Sequence, residues 1–155
     1  MNRWQMVLLA AAVLLPKLGT PAVDVGKLEP VQTVLAIGSD AGVELRTDTG
    51  AAGKGKTLSE AVEVLKTGAA KEVFLDTADF LLFRGEIPPV RQLLELFRPA
   101  CGVCRAEPGI EPETVSAWLC QHPPGRTLGQ LRAGLPETQE LHWSEGRGEL
   151  CPIRR

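Results

Sequence analysis

The segment from Gly50 to Asp76 constrains the fold of this chain most, because it fits two incompatible local structures. It begins Gly-Ala-Ala-Gly-Lys-Gly-Lys-Thr, continues as an amphipathic helical pattern and ends Val-Phe-Leu-Asp. The first eight residues match the phosphate-binding pattern G-x-x-x-x-G-K-[ST], and an apolar strand ending in Asp is typical of the magnesium site in such enzymes. The same residues also fit a polar strand, a glycine loop and a capped helix in a small α+β domain.

The strand before the glycine-rich segment separates the two interpretations. A phosphate loop follows a strand that is buried on both faces and therefore reads as a continuous apolar run. The preceding stretch, Val43 to Thr49, instead alternates with three charged residues, and the apolar strand Val31 to Ile37 ends too far upstream. The alternation predicts a half-exposed antiparallel strand. We therefore favour the capped helix, and a nucleotide hydrolase that uses Lys56, Thr57 and Asp76 is the alternative.

The helix after this segment has clear boundaries in the sequence. Thr57 is a good N-cap, Glu60 three residues later completes a capping box, and Gly68 is placed to end the helix. One apolar face follows at helical spacing: Leu58, Ala61, Val62 and Leu65. The sequence therefore predicts a helix over residues 57–68 without any need for a bound nucleotide.

The other elements complete the order ββαββαβα. We expect further short strands at 72–75, 80–83 and 103–106, a helix that starts at Pro88 or Pro89, and another that starts at Pro112. Strands that alternate with helices in this way predict an α+β fold, with a small mixed β-sheet and helices packed on one face.

The N-terminus has the anatomy of a secretory signal peptide. Arg3 precedes an unbroken apolar run from Met6 to Leu15, and Thr20-Pro21-Ala22 offers small residues for cleavage. A spanning helix needs about 20 apolar residues, but an uncleaved N-terminal membrane anchor stays open as an alternative. We assign 1–22 to the signal peptide, 23–30 to a linker, 31–134 to the α+β domain, and 135–155 to a C-terminal tail with a hairpin as its candidate structure.

The charge balance disfavours nucleic acid as a partner. Removing Arg3 and Lys17 from the 17 basic residues leaves 15 against 19 acidic residues, a net charge of −4. Binding to phosphates needs a basic face, and no run of Lys or Arg interleaves with aromatic residues. His122 and His142 are the only histidines, and no G-x-S-x-G elbow is present. We assign no catalytic residue, cofactor or metal ligand.

The four cysteines are Cys101, Cys104, Cys120 and Cys151. An even count in an exported protein favours two disulfides, and sequence does not choose among the three possible pairings. Cys101 and Cys104 also form a C-x-x-C pattern, which makes a thiol oxidoreductase a second enzymatic alternative. A reactive first cysteine sits at a helix N-terminus, whereas Cys101 follows a helix that stops at Pro99. We therefore favour structural disulfides.

The order of local motifs resembles the first domain of Ger(x)C-type spore germination proteins, the C subunits of bacterial spore germinant receptors. That family has an apolar "L-A-I-D" type strand, here Val34 to Ile37, and a G-K-T-x-x-E-A signature, here Gly55 to Ala61. It also has a strand that ends near a Gly-Glu pair, here Gly85-Glu86, and a helix that ends at an Arg near a Pro, here Phe97 to Pro99. The likeness covers about Val31 to Leu119.

The chain departs from that family in one feature of its processing. Family members are lipoproteins, and no cysteine precedes Cys101 here. The resemblance implies a stand-alone, exported, non-enzymatic interaction module that binds a protein partner at the cell envelope. We expect a sheet edge or the loop from Thr47 to Lys56 to supply the contact. No functional residue is carried over, because the family signature caps a helix.

Overall fold

The computed structural model describes residues 28–135 and 139–153. These residues form nine strands and four α-helices. The strands are β1 (Leu28–Pro30), β2 (Thr33–Ser39), β3 (Gly42–Thr47), β4 (Ala52–Gly55), β5 (Glu72–Phe74), β6 (Phe80–Gly85), β7 (Gly102–Ala106), β8 (Gln139–Ser144) and β9 (Arg147–Pro152). The helices are α1 (Leu58–Gly68), α2 (Val90–Leu96), α3 (Pro112–Gln121) and α4 (Leu128–Arg132).

Seven strands form one mixed sheet in the order β4-β3-β2-β6-β7-β8-β9. The four central strands, β2, β6, β7 and β8, are parallel to one another. Antiparallel strands β3 and β4 extend one side, and β9 extends the other. Strands β1 and β5 form a separate parallel pair. The predicted α+β class and mixed sheet are confirmed. The predicted order is present with β1 and β4 added, and α4 and the β8–β9 hairpin follow its last helix.

The central strands are buried on both faces because helices cover both. On one face, Val34, Leu81 and Phe83 pack with residues of α1, α2 and α4. On the other face, Leu35 and Leu82 pack with residues of α3. The prediction that all helices lie on one face therefore differs from the structure in α3. The reason is visible in the sequence of β6, since Phe80 to Phe83 is a continuous apolar run rather than an alternating one.

A small polar cluster ties α3 to the sheet. The Ser116 hydroxyl on α3 donates to Asp48 Oδ2 at 2.9 Å and accepts a hydrogen bond from Thr33 Oγ1 at 2.8 Å. Thr33 and Ser116 are both buried, so these bonds satisfy groups that would be costly to leave unpaired. The carboxylate of Asp48 also accepts from the backbone N–H of Gln32. The cluster is therefore well explained as a structural link.

Both ends of the described chain join the fold. Of the predicted linker at 23–30, Leu28–Pro30 forms β1, and the rest lies outside the described residues together with the predicted signal peptide at 1–22. The hairpin expected in the C-terminal tail is present as β8–β9, and β8 pairs with β7, so it extends the main sheet. No helix in the described part of the chain has the length and apolar character that crossing a membrane requires.

Candidate functional site

The glycine-rich segment forms an edge strand rather than a phosphate loop. Strand β4 covers Ala52–Gly55 and pairs with β3, so the predicted glycine loop is limited to the turn before it. A Cβ atom at Gly53 would lie 2.2 Å from the carbonyl oxygen of Ala61, and one at Gly55 would lie 2.6 Å from the backbone nitrogen of the same residue. The two glycines thus let the backbone of α1 approach β4 directly. Helix packing explains the glycines of the pattern.

The N-terminus of α1 is capped by its own side chains. Thr57 Oγ1 accepts a hydrogen bond from the backbone N–H of Glu60 at 3.2 Å, as predicted. The Glu60 carboxylate accepts from the backbone N–H of Lys56 at 2.8 Å, one residue before the partner that a capping box would use. A carboxylate therefore occupies part of the position where a phosphate loop would hold its anion.

Replacing Thr57 with Ala should lower the free energy of unfolding by about 1 kcal/mol, because the mutant loses the N-cap hydrogen bond to Glu60. The measurement is urea unfolding followed by far-ultraviolet circular dichroism. Thr67→Ala is a matched control, since the Thr67 hydroxyl donates to the carbonyl of Glu63 within the same helix. Its effect should stay within about 0.5 kcal/mol. Equal losses for the two variants would contradict the capping role of Thr57.

The three residues of the hydrolase alternative do not converge. Lys56 and Thr57 lie at the carboxyl-terminal end of β2 and β6, where Gly38 and Glu86 are their neighbours around one cavity. Asp76 is exposed in a single 3₁₀ turn that precedes β6. Because β6 has six residues, Asp76 lies about 17 Å away, at the other end of the sheet. This separation counts against a magnesium nucleotide site built from these residues.

Cys101 and Cys104 lie on opposite faces of the sheet. Cys101 packs in the core under α1, α2 and α4, whereas Cys104 packs in the core under α3. Three residues of extended chain separate their Cα atoms by about 10 Å, beyond the roughly 7 Å that a disulfide spans. Burial also raises the pKa of the Cys101 thiol to about 12. A reactive thiolate needs a lowered pKa, so this arrangement counts against a thiol oxidoreductase.

The fold does not accommodate the two predicted disulfides, and the described residues contain none. Each of the three pairings requires one bond among Cys101, Cys104 and Cys151. Cys101 and Cys104 are separated as above, and Cys151 is two strands from β7, in line with Arg105 through Glu140. Two strand spacings are about 10 Å, so neither cysteine of the C-x-x-C pattern reaches Cys151. The remaining candidate, Cys120, is exposed on α3.

Both histidines have structural neighbours. The ring of His122 stacks on Trp118, with 4.5 Å between ring centroids, and Trp118 in turn meets Trp143 edge to face. His142 Nδ1 lies 2.5 Å from Glu107 Oε1. No group of three His, Cys, Asp or Glu side chains with metal-binding geometry occurs within the described residues.

A groove of about 670 Å³ opens at the carboxyl-terminal ends of the parallel strands β2 and β6. We call it the β2–β6 groove. Three segments form its walls: residues 38–43 in the turn after β2, residues 56–58 at the N-terminus of α1, and residues 86–89 and 92 in the loop after β6 and the first turn of α2. Its size falls within the range of about 300–1,000 Å³ for ligand clefts, and it lies outside the carboxyl-terminal ends of two parallel strands. It is therefore the candidate functional site.

The floor of the groove is a close backbone crossing. A Cβ atom at Gly38 would lie 1.9 Å from the carbonyl oxygen of Glu86, and one at Gly85 would lie 2.1 Å from that of Gly38. Gly85 also has a φ of +75°, a conformation that side chains rarely adopt. The backbone N–H of Glu86 donates to the carbonyl of Gly38 at 3.3 Å. The wall that carries Glu86 is thereby fixed against β2.

Two motifs of the germination-protein resemblance contribute lining residues to this groove: Lys56, Thr57 and Leu58 from the G-K-T-x-x-E-A signature, and Glu86 from the Gly85-Glu86 pair. The apolar strand motif lies directly before the lining residue Gly38, and the motif from Phe97 to Pro99 does not line the groove. The apolar strand motif is part of β2, the G-K-T-x-x-E-A signature joins β4 to α1, and the Gly85-Glu86 pair ends β6. Comparisons with protein-family models, curated proteins and solved structures find no match to this chain. The resemblance thus rests on these motifs and their order.

Proposed function

We propose that this chain is an exported, non-enzymatic interaction module of the bacterial cell envelope, and that it binds a protein partner in the β2–β6 groove. The observation that carries the proposal is that two motifs far apart in the sequence, the helix-capping signature with Lys56 and Thr57 and the pair Gly85-Glu86, both contribute residues to one groove. The same motifs carry the resemblance to the germinant-receptor C subunit. A loop-lined cleft on a rigid sheet is a common position for a recognition site.

The geometry supports recognition more than the two enzymatic alternatives. Asp76 is far from Lys56, and the thiols of Cys101 and Cys104 lie on opposite faces of the sheet. The contact expected in the loop from Thr47 to Lys56 is also less favourable than the groove. Four of its ten residues, Ala52–Gly55, form β4, and the side of β4 toward the core packs against α1.

The proposal predicts a contact that depends on position and occurs at the envelope. A photoreactive phenylalanine derivative replaces Gln92, an exposed residue of the groove, in the full chain expressed in its native host. The matched control replaces Lys71, which is exposed near β5 at the other end of the sheet. After irradiation, we expect one discrete crosslinked species in the envelope fraction from the Gln92 position alone. Equal crosslinking from both positions, or a chain confined to the cytoplasmic fraction, would contradict the proposal.

Two further measurements, of spore germination and of nucleotide binding, test the biological role of the chain. A germination defect in a strain that lacks the gene, restored by the intact gene, would support a role beside germinant receptors. Normal germination in a host that expresses the protein would limit the resemblance to the fold. Tight binding of magnesium-ATP in calorimetry, lost in Lys56→Ala, would instead support the nucleotide hydrolase.

A further inference from the structure

We infer that the β2–β6 groove selects a peptide segment of the partner that carries a basic side chain, Lys or Arg. This inference rests on the proposed function and assigns a chemistry to the ligand of the same groove. It depends on three features: the charges on facing walls, the side chains at the N-terminus of α1, and the apolar loop between β6 and α2.

Two carboxylates face the groove from different walls. Asp40 lies in the turn between β2 and β3, and Glu86 lies in the loop after β6. Both side chains are exposed, and neither has an ion-pair partner among the described residues. The backbone crossing at Gly38 fixes the position of Glu86. A cationic group in the groove would thus meet a carboxylate on either of two walls without displacing an existing ion pair.

The third wall is unfavourable for an anion despite its lysine. The Glu60 carboxylate already accepts the backbone N–H of Lys56, and Thr57 Oγ1 accepts that of Glu60. Asp40 and Glu86 outnumber Lys56 around the groove, which leaves its lining with one excess negative charge. Like charges repel across a site of this kind, so a phosphate or carboxylate ligand is disfavoured.

The loop between β6 and α2 suits the stem of a basic side chain. Ile87 is half-buried, Pro88 is buried and Pro89 is exposed, and all three line the groove. Lys and Arg side chains lay their methylene stems along apolar surface and keep the charged group in polar surroundings. The apolar loop beside Glu86 offers both environments within one groove.

The test is an NMR titration of the full chain with three capped tripeptides, Leu-Lys-Leu, Leu-Gln-Leu and Leu-Glu-Leu. We expect the Lys peptide to shift amide signals of residues 38–43, 56–58, 86, 87 and 92, and to bind at least about 10-fold more tightly than the Glu peptide. Higher salt should weaken this binding, since exposed charges are screened. Asp40→Asn with Glu86→Gln should abolish the preference. Asp76→Asn with Glu72→Gln removes the same charges at the other end of the sheet and should preserve it.

The outcomes separate this inference from the proposed function. Equal or tighter binding of the Glu peptide at the same amides would overturn the basic-ligand assignment and leave the groove as a binding site. The absence of groove shifts with all three peptides at millimolar concentration would overturn it as well. Crosslinking from the Gln92 position is measured independently, so its failure would count against the proposed function and not only against the ligand class.

Discussion

Replacing Gly53 with Ala is expected to destabilise the protein by about 3 kcal/mol, at the upper end of the cost of overpacking. The added methyl group would lie 2.2 Å from the carbonyl oxygen of Ala61 and 2.4 Å from the backbone nitrogen of Leu65. Both contacts are with the backbone of α1, so no rotation of a side chain relieves them. The helix must move away from β4, and the buried side chains Ala61 and Leu65 would lose contacts.

Gly68→Ala provides the matched control for this prediction. Gly68 is the last residue of α1, and a Cβ atom there would meet no atom within 4 Å. Alanine restricts the unfolded chain and favours the helix, so this variant should be neutral or more stable by about 0.5 kcal/mol. Urea unfolding of both variants measures the difference. A loss below about 1 kcal/mol for Gly53→Ala would contradict the direct packing of α1 on β4.

The contrast between α1 and β4 shows which parts of the fold can be predicted from local sequence. The helix was predicted correctly because Thr57, Leu58 and Gly68 each act on their immediate neighbours, through capping, burial and termination. The role of Gly53 depends instead on Ala61 and Leu65, which are eight and twelve residues later in the chain. A pattern of glycines indicates that backbone comes close to something, but does not identify the neighbour. Glycines that allow a helix to pack closely therefore resemble, in sequence, glycines that allow a phosphate to bind.

The candidate site was harder to predict than the fold for a related reason. Asp40, Lys56 and Glu86 come from three loops, and only the pairing of β2 with β6 brings them together. The sequence signalled the loops separately, through Gly38, the helix cap and Gly85-Glu86. The position of α3 also differs from the expectation of helices on one face, although the continuous apolar run of β6 indicates burial on both faces. The two expected disulfides, for which the sequence left all three pairings open, do not fit the fold, because an even count of cysteines carries no information on their distances.

Replacing Gly38 with Ala is expected to cost about 3 kcal/mol and to weaken the binding of the Lys peptide, so that one methyl group affects both the fold and the groove. Its Cβ would lie 1.9 Å from the carbonyl oxygen of Glu86, at the crossing that holds this wall against β2. Relief requires a backbone shift of Glu86, the residue that supplies a carboxylate, because the close contact is with its backbone carbonyl and not with a movable side chain.

The effect on peptide binding distinguishes a local change in the groove from a general loss of stability. Gly102→Ala, in β7, is the control. Its Cβ would lie 3.3 Å from two side-chain atoms, Phe80 Cδ1 and Pro124 Cδ, and no backbone atom would lie within 3.4 Å. That variant should change stability by no more than about 1 kcal/mol and leave peptide binding intact. Both variants are measured by urea unfolding and then by the NMR titration, under conditions in which each is folded. Equally tight binding of the Lys peptide by folded Gly38→Ala and by the unmodified chain would contradict this prediction. The affinity of the groove would then not depend on the backbone position of Glu86, and its carboxylate would act without the fixed geometry inferred for it.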